Sequence, residues 1–399
     1  MNNLEIYLRK IIEMGCNPSQ YDNLIIYSNK LNKTVKETLL KLKSEYGIKD
    51  LTFMEYDYQK LYNLFRTNPK KEEIEKMVIQ YPKIKDPSKT KLIYDCQMNL
   101  DEYYMKILDV FDYSFGLYKN KDIEKNAEYY NLFDNRQNII AVALPHENFA
   151  KRLLGSSDRF DELCSIFNQV IPSSNQYQEE VKKLKEIRKY LTMLKIKNLY
   201  FHTDVGTDFK ISLTKHSIWL SEPECKNNQE FFFNFPSYEI YTSPNCYSAE
   251  GNVVLTKPSS LYGQRIENVN LEFVKGKCVK VDCDNNNFAN IIMDKENNMY
   301  RIGEIALVSK DTPLAKLNRF FDLILFDENA GCHLALGDSI RECVNIPDDI
   351  INKKGLRYFR YNESSFHQDL IFGNDSINVE ASTSNKQKVL LLENGLWKF

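Results

Sequence analysis

The chain lacks a charge imbalance, a long apolar run and a leader-like start. Its 53 lysines and arginines nearly balance 55 aspartates and glutamates, for a net charge of −2. This balance predicts no nucleic-acid partner and no acidic membrane surface as a partner. No stretch approaches the roughly 18 apolar residues that a membrane helix needs. The first residues also lack a basic segment followed by an apolar one, so we expect no signal peptide.

Several common site motifs are absent too. The nine cysteines are scattered and include no CxxC pair, which predicts free thiols in a reducing cytoplasm. The motifs GxSxG, GxxxxGK[ST], GxGxxG and HExxH do not occur, which removes motif support for an esterase elbow, nucleotide binding and a zincin helix. Cys332 adjoins His333, but sequence neighbours rarely aim at each other, so a thiol nucleophile is not favoured.

What is present is the composition of a folded protein with two domains. A hydrophobic content of 43% and an aromatic content of 13% argue against disorder, and 399 residues suffice for two cores. Alternating strands and helices predict an α/β domain over residues 1–197 with a mostly parallel sheet. Short β-type runs separated by turns predict a β-rich α+β catalytic domain over residues 198–399, with one helix after Glu328.

The predicted elements follow from apolar periodicity and turn residues. In the first half the strands are 24–27, 51–54, 91–94 and 139–144, and the helices are 34–46, 70–80, 100–110, 148–154, 159–170 and 177–194. In the second half the strands are 199–202, 208–213, 231–234, 239–242, 253–255, 271–274 and 278–281, with a turn at 285–287.

Two short C-terminal segments pair a histidine with carboxylates, although the chain has only five histidines. His333 follows Asp327 and Glu328, and His367 stands two residues before Asp369. Imidazole and carboxylate are ligands of zinc, cobalt and manganese sites. Residues i and i+2 of a strand share a face, so His367 and Asp369 can hold one ion. The alternative is a polar alternation on an ordinary exposed strand.

Structural roles remain open for the other candidates. Asp327 and Asn329 can cap a following helix, and His333 can be a satisfied core histidine. Glu239 and Glu304 lie in aromatic or apolar strands, where a carboxylate is costly to bury unless it is paired or metal-bound. A buried salt bridge with an arginine or lysine is the alternative for Glu304, and a structural role is the alternative for Glu239. Together, two histidines and several carboxylates are the ingredients of a two-metal centre.

Four ordered segments resemble the aminopeptidase T family of thermophilic metallo-aminopeptidases. They are residues 234–244, 303–308, 325–337 and 362–373, and the similarity also includes residues 203–209 and 394–399. The specific resemblance covers about residues 199–399, whereas the first half is similar in layout but more divergent.

The resemblance implies a binuclear centre with two divalent ions (zinc, cobalt or manganese). The positions that match the family's metal ligands are Glu239, Glu304, His333, His367 and Asp369, with Glu304 as the bridge. Glu328 matches an acidic position that we assign to the metal shell or to general-base duty, so Glu304 and Glu328 are the expected catalytic residues. The family also implies a homodimer, and a metal-activated water that removes N-terminal residues from short peptide substrates.

One position departs from the family pattern. The family carries a tyrosine seven residues after the histidine, where this chain has Ile340. A phenol can donate to an oxyanion or touch a metal, and the loss of one such donor costs roughly 10²–10³ in rate. Ile340 therefore motivates an alternative, a weakened or inactive family member that binds peptides. A metal-dependent hydrolase of other amides is a third hypothesis.

Overall fold

The protein is described by a computed structural model over residues 1–29, 31–56, 86–96, 136–226, 228–261, 264–293, 298–364 and 366–399. These residues divide into two compact units. The first contains Met1–Tyr177 and Pro223–Pro236, and the second contains Gln178–Glu222, Ser237–Leu261 and Arg265–Phe399. Whether an independently folding domain begins at residue 198 stays a prediction.

The first unit is built on a four-stranded parallel sheet in the order β2-β1-β3-β4. Its strands are β1 (Asn23–Asn29), β2 (Asp50–Tyr56), β3 (Thr90–Asp95) and β4 (Ile139–Val142). Consecutive residues of β1, Leu24, Ile25 and Ile26, are all buried, as expected for a parallel sheet that is covered on both faces. The predicted parallel sheet is therefore confirmed.

Helices flank these strands in the sequence. They are α1 (Asn3–Lys10), extended by a π-helical segment (Ile11–Cys16), α2 (Lys33–Glu45), α3 (Glu147–Leu154) and α4 (Phe160–Val170). A short hairpin of β7 (Glu224–Lys226) and β8 (Gln229–Phe231) completes the unit. The predicted helices at 70–80 and 100–110 lie outside the described residues.

A buried polar cluster closes the carboxyl end of the parallel sheet. Asp95, the last residue of β3, places Oδ2 2.6 Å from Ser28 Oγ and 2.5 Å from His146 Nε2. Its Oδ1 accepts the Leu144 N–H at 3.0 Å. Because Ser28 and Asp95 are at most 1% exposed, these groups depend on one another for hydrogen bonds. Asp95 thus joins β1, β3 and the start of α3.

Replacing Asp95 with alanine is expected to lower the free energy of unfolding by about 3–5 kcal/mol, because it strands several buried donors. Urea unfolding of the full chain, followed by circular dichroism, measures the change. The control is Asp22→Ala, since Asp22 is partly exposed beside Lys49 and such pairs contribute little. Equal destabilisation by the two substitutions would contradict the role of Asp95.

The second unit begins with α5 (Ser174–Leu194), most of which belongs to it. It contains an eight-stranded and a four-stranded antiparallel sheet, and the two-stranded sheet β11-β12. The eight-stranded sheet has the order β14-β13-β10-β6-β5-β18-β19-β20, and the four-stranded sheet has the order β17-β16-β15-β9. The strands are β5 (Ile196–His202), β6 (Asp208–Ser212), β9 (Ile240–Thr242), β10 (Glu250–Val254), β11 (Ser259–Leu261), β12 (Gln264–Ile266), β13 (Asn270–Val274), β14 (Lys277–Asp282), β15 (Ile302–Leu307), β16 (His333–Gly337), β17 (His367–Ile371), β18 (Asn378–Thr383), β19 (Lys388–Glu393) and β20 (Leu396–Trp397). The predicted β-rich second half is confirmed.

An aromatic row forms part of the core between these two sheets. Phe201 in β5 lies 5.9 Å from Phe209 in β6, which lies 5.6 Å from Phe273 in β13, measured between ring centroids. Phe372, directly after β17, contacts Phe201 edge-on at 5.4 Å. All four rings are buried. They hold the small sheet against the large one through direct apolar packing.

Two predictions about helices are wrong. The segment 285–287 is not a simple turn, because α6 (Asn286–Met293) starts there and the Asn285 side chain accepts the N–H groups of Asn287 and Phe288. The expected helix after Glu328 is absent: α8 (Ile324–Asp327) precedes it, a 3₁₀ turn (Glu328–Ala330) follows, and then β16 begins.

Two further short helices are α7 (Pro313–Lys316) and α9 (Asp348–Lys354). Within the described ranges, no helix is long and apolar enough to cross a membrane.

Candidate metal centre

The residues predicted as metal ligands share one face of the small sheet. In one row across the strands, Glu304 of β15 pairs with Ala335 of β16, which pairs with Asp369 of β17. His367 lies two residues before Asp369 and pairs with Gly337. Residues two apart on a strand point to the same face, and so do directly paired residues. Glu304, His367 and Asp369 therefore converge.

A second row brings in the remaining ligands. Tyr241 of β9 pairs with Ala306 of β15, which pairs with His333 of β16. Glu239 directly precedes β9, and its carboxylate lies within 4.8 Å of ligand atoms of Glu304 and His333. The small side chain of Ala306 in this row, like that of Ala335 in the first, leaves room between the longer polar side chains.

Glycine is required where the face meets His367. Gly337 has φ of 103°, a left-handed conformation that favours glycine. A Cβ atom there would lie 2.1 Å from the carbonyl oxygen of Phe366, so any side chain would push β17 away from β16. The close approach keeps His367 in register with the other ligands.

Two overlapping groups of side chains have the geometry to hold a metal ion. Glu239, Glu304 and His333 form one, and Glu304, His367 and Asp369 form the other; within each, the ligand atoms lie within 4.8 Å of one another. Glu304 belongs to both groups. One shared carboxylate between two nitrogen and oxygen ligand sets is the arrangement that a two-ion centre needs.

Backbone carbonyls orient both imidazoles. His333 Nδ1 lies 3.2 Å from the Gly331 oxygen, and His367 Nδ1 lies 3.0 Å from the Asp338 oxygen. A carbonyl only accepts, so we assign the proton to Nδ1 in each ring, which leaves Nε2 as the ligand atom. His333 Nε2 lies 3.1 Å from Glu239 Oε2, and His367 Nε2 lies 3.0 Å from Glu304 Oε2.

Glu239 carries an unsatisfied buried oxygen. Its Oε2 is inaccessible and has no hydrogen-bond partner among the described residues, although His333 Nε2 lies 3.1 Å away. A buried carboxylate oxygen without a donor is costly. A divalent cation between these groups would satisfy it, so the residues present fit the metal centre that the donor set predicts.

The electrostatics of the centre reflect an excess of carboxylates. Burial raises the pKa of Glu304, and His367 offsets this only in part. Burial alone would lower the pKa of His333, but the neighbouring carboxylates, with Glu239 foremost, raise it to about 9. Burial alone would raise the pKa of Asp369, but the neighbouring His367 and His333, together with a backbone hydrogen bond, leave that pKa lowered. This crowding of negative charge favours a bound dication.

Metal binding to the metal-free protein is expected to tighten as pH rises towards about 9. The His333 imidazolium must lose its proton before Nε2 can bind an ion, and its pKa is raised to about 9. Each displaced proton should change the affinity by about tenfold per pH unit. Conversely, the ion pair of His333 with Glu239 stabilises the metal-free protein. This stabilisation is complete below about pH 6.5 and is lost as pH rises through about 9.

Isothermal titration with Zn²⁺ in buffers of different ionisation enthalpy measures both the affinity and the number of protons released. Binding that releases no proton and has the same affinity at every pH would contradict this expectation.

Glu328 lies beside the centre but belongs to neither group of ligand atoms. It is buried, and its pKa is raised well above its ordinary value by burial and by the charges of Glu239, Asp369 and Glu304. A carboxyl group with a raised pKa next to reacting groups suits proton transfer near neutral pH.

Asn329 is a site residue that sequence reasoning missed. It is fully buried, and its Nδ2 lies 3.4 Å from Glu328 Oε1 and 3.0 Å from the Leu325 oxygen. Its Oδ1 accepts the Tyr238 N–H at 2.5 Å, in the segment that leads to Glu239. Its position directly after a candidate acid is the signal in the sequence, although its residue type favours a helix cap.

Asp327 has a local structural role. Its carboxylate accepts the N–H groups of Phe321 at 2.8 Å and Leu323 at 2.9 Å. The expected capping of a following helix by Asp327 and Asn329 is therefore wrong. The Asp327 side chain instead binds the backbone of the residues just before α8. The Asn329 side chain binds the Leu325 oxygen and the Tyr238 N–H.

Cys332 and Ile340 carry no polar chemistry in the centre. The Cys332 thiol is fully buried, and burial raises its pKa to about 12, which does not suit a nucleophile. The Ile340 backbone N–H donates to Ser243 Oγ at 2.9 Å. Its side chain packs against an apolar cluster that includes Tyr241, Ala306 and Cys343.

Comparison with known proteins agrees with the chemistry of this face. The model of the family described as "Thermophilic metalloprotease (M29)" matches residues 1–397. Aminopeptidase AmpS of Bacillus subtilis (strain 168) is 31% identical over 200 residues, which are 49% of this chain and 48% of the relative. Aminopeptidase PepS of Streptococcus thermophilus is 27% identical over 275 residues, 66% of each chain. The aligned parts thus span about half to two thirds of these relatives.

Solved structures show that the fold itself is shared. "Wild-type AmpT from Thermus thermophilus" aligns over 100% of this chain and 99% of its own, with a TM-score of 0.80 and 21% identity. A 2,5-dihydroxypyridine dioxygenase from Pseudomonas putida KT2440 aligns over the same shares with a TM-score of 0.52 and 12% identity. At such identities the likeness concerns the fold, which can host different chemistries. Because the family match extends over nearly the whole sequence, the chain belongs to the thermophilic metalloprotease (M29) family.

Proposed function

We propose that the protein is a metal-dependent aminopeptidase that hydrolyses N-terminal residues from short peptides. The observation that carries the proposal is the shared carboxylate of Glu304, which joins two histidine-carboxylate groups on one sheet face. The aminopeptidase names of the relatives AmpS and PepS support the same activity. A homodimer, as the family resemblance implies, stays a prediction.

Each group of side chains would hold one divalent ion. Glu239, Glu304 and His333 would hold the first, and Glu304, His367 and Asp369 the second. When bound, such a pair of ions supplies an acidified water and polarises the carbonyl of the scissile bond. The His333 and His367 rings keep their orientation through the carbonyl oxygens of Gly331 and Asp338.

Glu328 would move the proton. In its ionised form the carboxylate takes a proton from the attacking water, and in its protonated form it donates that proton to the leaving amine. Asn329 holds the carboxyl group by its amide, 3.4 Å from Oε1. Burial and the neighbouring carboxylates raise the pKa of Glu328, which makes its carboxylate a stronger base for the proton of the attacking water.

The carboxylate-rich face would also select a free amino terminus. With an ion held in each ligand group, the centre together with a carboxylate would anchor the free α-amine of a peptide, and an N-acylated peptide lacks this free amine. The His367 side chain is 35% exposed, whereas those of His333 and Glu239 are at most 5% exposed. Substrate therefore has access to the centre at the His367 side.

Metal analysis and turnover of the purified full chain test the proposal. We expect bound metal after incubation with Co²⁺, Zn²⁺ or Mn²⁺, and hydrolysis of aminoacyl-nitroanilides and dipeptides. The matched control is the same set of substrates with the α-amine acetylated, which should be resistant. A protein that binds none of these ions and turns over no substrate would falsify the aminopeptidase proposal, whereas turnover of the acetylated set would indicate a hydrolase of other amides.

A second candidate function is peptide binding without turnover. It is favoured by one observation: Ile340 supplies no polar group where the family resemblance places a tyrosine. Fluorescence anisotropy with labelled peptides separates the two candidates. Saturable binding of intact peptide by the metal-loaded protein, with no hydrolysis over the same period, would support the binding protein.

A further inference from the structure

Tyr241 lies on the same face as the metal ligands. It follows Glu239 by two residues and pairs with Ala306, which in turn pairs with His333. Tyr241 and His333 are therefore separated by a single strand, β15. Neighbouring strands are about 4.8 Å apart. The only side chain of that strand in this row is the methyl group of Ala306. A tyrosine next to so small a neighbour can extend its hydroxyl towards the centre.

Tyr241 also adjoins the position at which the family pattern is broken. Its ring belongs to a buried cluster with Ala306 and Cys343, and the Ile340 side chain packs against that cluster. Tyr241 is 5% exposed. The chain therefore places a phenol on β9 beside the site where the family resemblance places one seven residues after the histidine.

We propose that the Tyr241 hydroxyl supplies the hydrogen-bond donor that Ile340 cannot supply. During hydrolysis the phenol donates its O–H to the oxygen of the scissile carbonyl as negative charge develops there. An uncharged donor held in a buried, packed position stabilises that charge without reorganisation. The inference rests on the proposed aminopeptidase function and makes Tyr241 a catalytic residue of this chain.

Tyr361 provides a matched control. It is also buried, but its hydroxyl is hydrogen-bonded to the hydroxyl groups of Thr214 and Ser217. Neither partner belongs to the candidate metal centre. The two tyrosines thus share a chemical group and a degree of burial, and differ in the groups that lie around their hydroxyls.

Activity is the first readout. Tyr241→Phe removes only the hydroxyl oxygen, so we expect a folded, fully metal-loaded protein whose kcat/KM is about 10²–10³-fold lower. Tyr361→Phe should retain the wild-type kcat/KM per folded molecule. The metal content of all three proteins is measured in parallel, so that a loss of metal is not mistaken for a loss of the donor.

Inhibitor binding gives a readout that does not depend on turnover. A phosphinic dipeptide analogue has a tetrahedral phosphorus that carries an oxygen where the developing oxyanion would be, whereas a free amino acid product has no such group. Titration calorimetry should show that Tyr241→Phe weakens the analogue by a factor similar to its loss of kcat/KM. Binding of the free amino acid should stay close to the wild-type value.

A second-site substitution completes the test. In the Tyr241→Phe background, Ile340→Tyr should restore most of the lost activity and of the analogue affinity, because it returns a phenol from the adjacent position. Unchanged kcat/KM and unchanged analogue affinity in Tyr241→Phe, with an active wild type and an inactive Glu304→Gln, would overturn this inference alone. A wild-type protein without metal or turnover would overturn it together with the proposed function.

Discussion

Glu328→Gln is expected to lower kcat by about 10²–10⁴-fold, the usual contribution of a general acid–base group, while the metal content stays unchanged. Glutamine has nearly the same shape, but its amide cannot take a proton from water or return it to the leaving amine. Because Glu328 belongs to neither group of ligand atoms, its replacement should leave both groups intact. Steady-state kinetics on an aminoacyl-nitroanilide, combined with metal analysis, measure the two effects separately.

The outcome distinguishes between the two roles considered for Glu328. A proportional loss of metal and activity would assign the residue to the metal shell. Full activity in Glu328→Gln would remove it from proton transfer. Glu267→Gln is a suitable control, since Glu267 is an exposed carboxylate of the same unit, paired with Arg265 at 2.6 Å.

Glu304→Gln should have the most severe effect on metal binding. Glu304 is the one residue common to both ligand groups among the described residues, so its replacement removes a charged oxygen from each. We expect a marked loss of bound metal and a decrease in kcat/KM of about 10³-fold or more, since metal ions supply several kcal/mol to such reactions. Inductively coupled plasma analysis and nitroanilide turnover measure the two quantities.

Two comparisons make this result interpretable. His333→Ala alters one ligand group and should leave the group of Glu304, His367 and Asp369 able to bind an ion. His202→Ala changes an exposed histidine on β5 of the larger sheet and should alter neither metal content nor rate. Glu304→Gln with full metal content and full activity would contradict the shared-ligand geometry as the basis of the function.

Local sequence patterns predicted most of the described regular structure. They failed where a polar side chain can accept backbone N–H groups either from the residues that follow it or from those that precede it. The apolar runs at 24–27 and 91–94 become buried strands because a run of that length can be satisfied by pairing on both sides. The segment around Asp327 and Asn329 has the residue types of a helix N-cap. In the folded chain, Asp327 binds the N–H groups of Phe321 and Leu323 instead, a choice that depends on packing rather than on propensity.

The ligand set could be proposed from the sequence, but its geometry could not. The spacing of His367 and Asp369 requires a shared face on any strand, and the resemblance added Glu239, Glu304 and His333. Each of these residues retained a structural alternative as long as its neighbours in space were unknown. The carbonyl oxygens of Gly331 and Asp338 that orient the rings leave no signal in side-chain identity.

The sequence by itself determined the chemistry available to this protein: two histidines with nearby carboxylates, and an isoleucine where the family resemblance places a tyrosine. The tertiary structure decided which of these groups meet. Glu239 and Asp369 are far apart in the chain, and they share a face only because β9, β15, β16 and β17 pair in one register. A shift of one residue would turn a strand's ligands to the opposite face. The same register brings Tyr241 into the row of His333, which composition and spacing cannot specify, because strand pairing is a long-range contact.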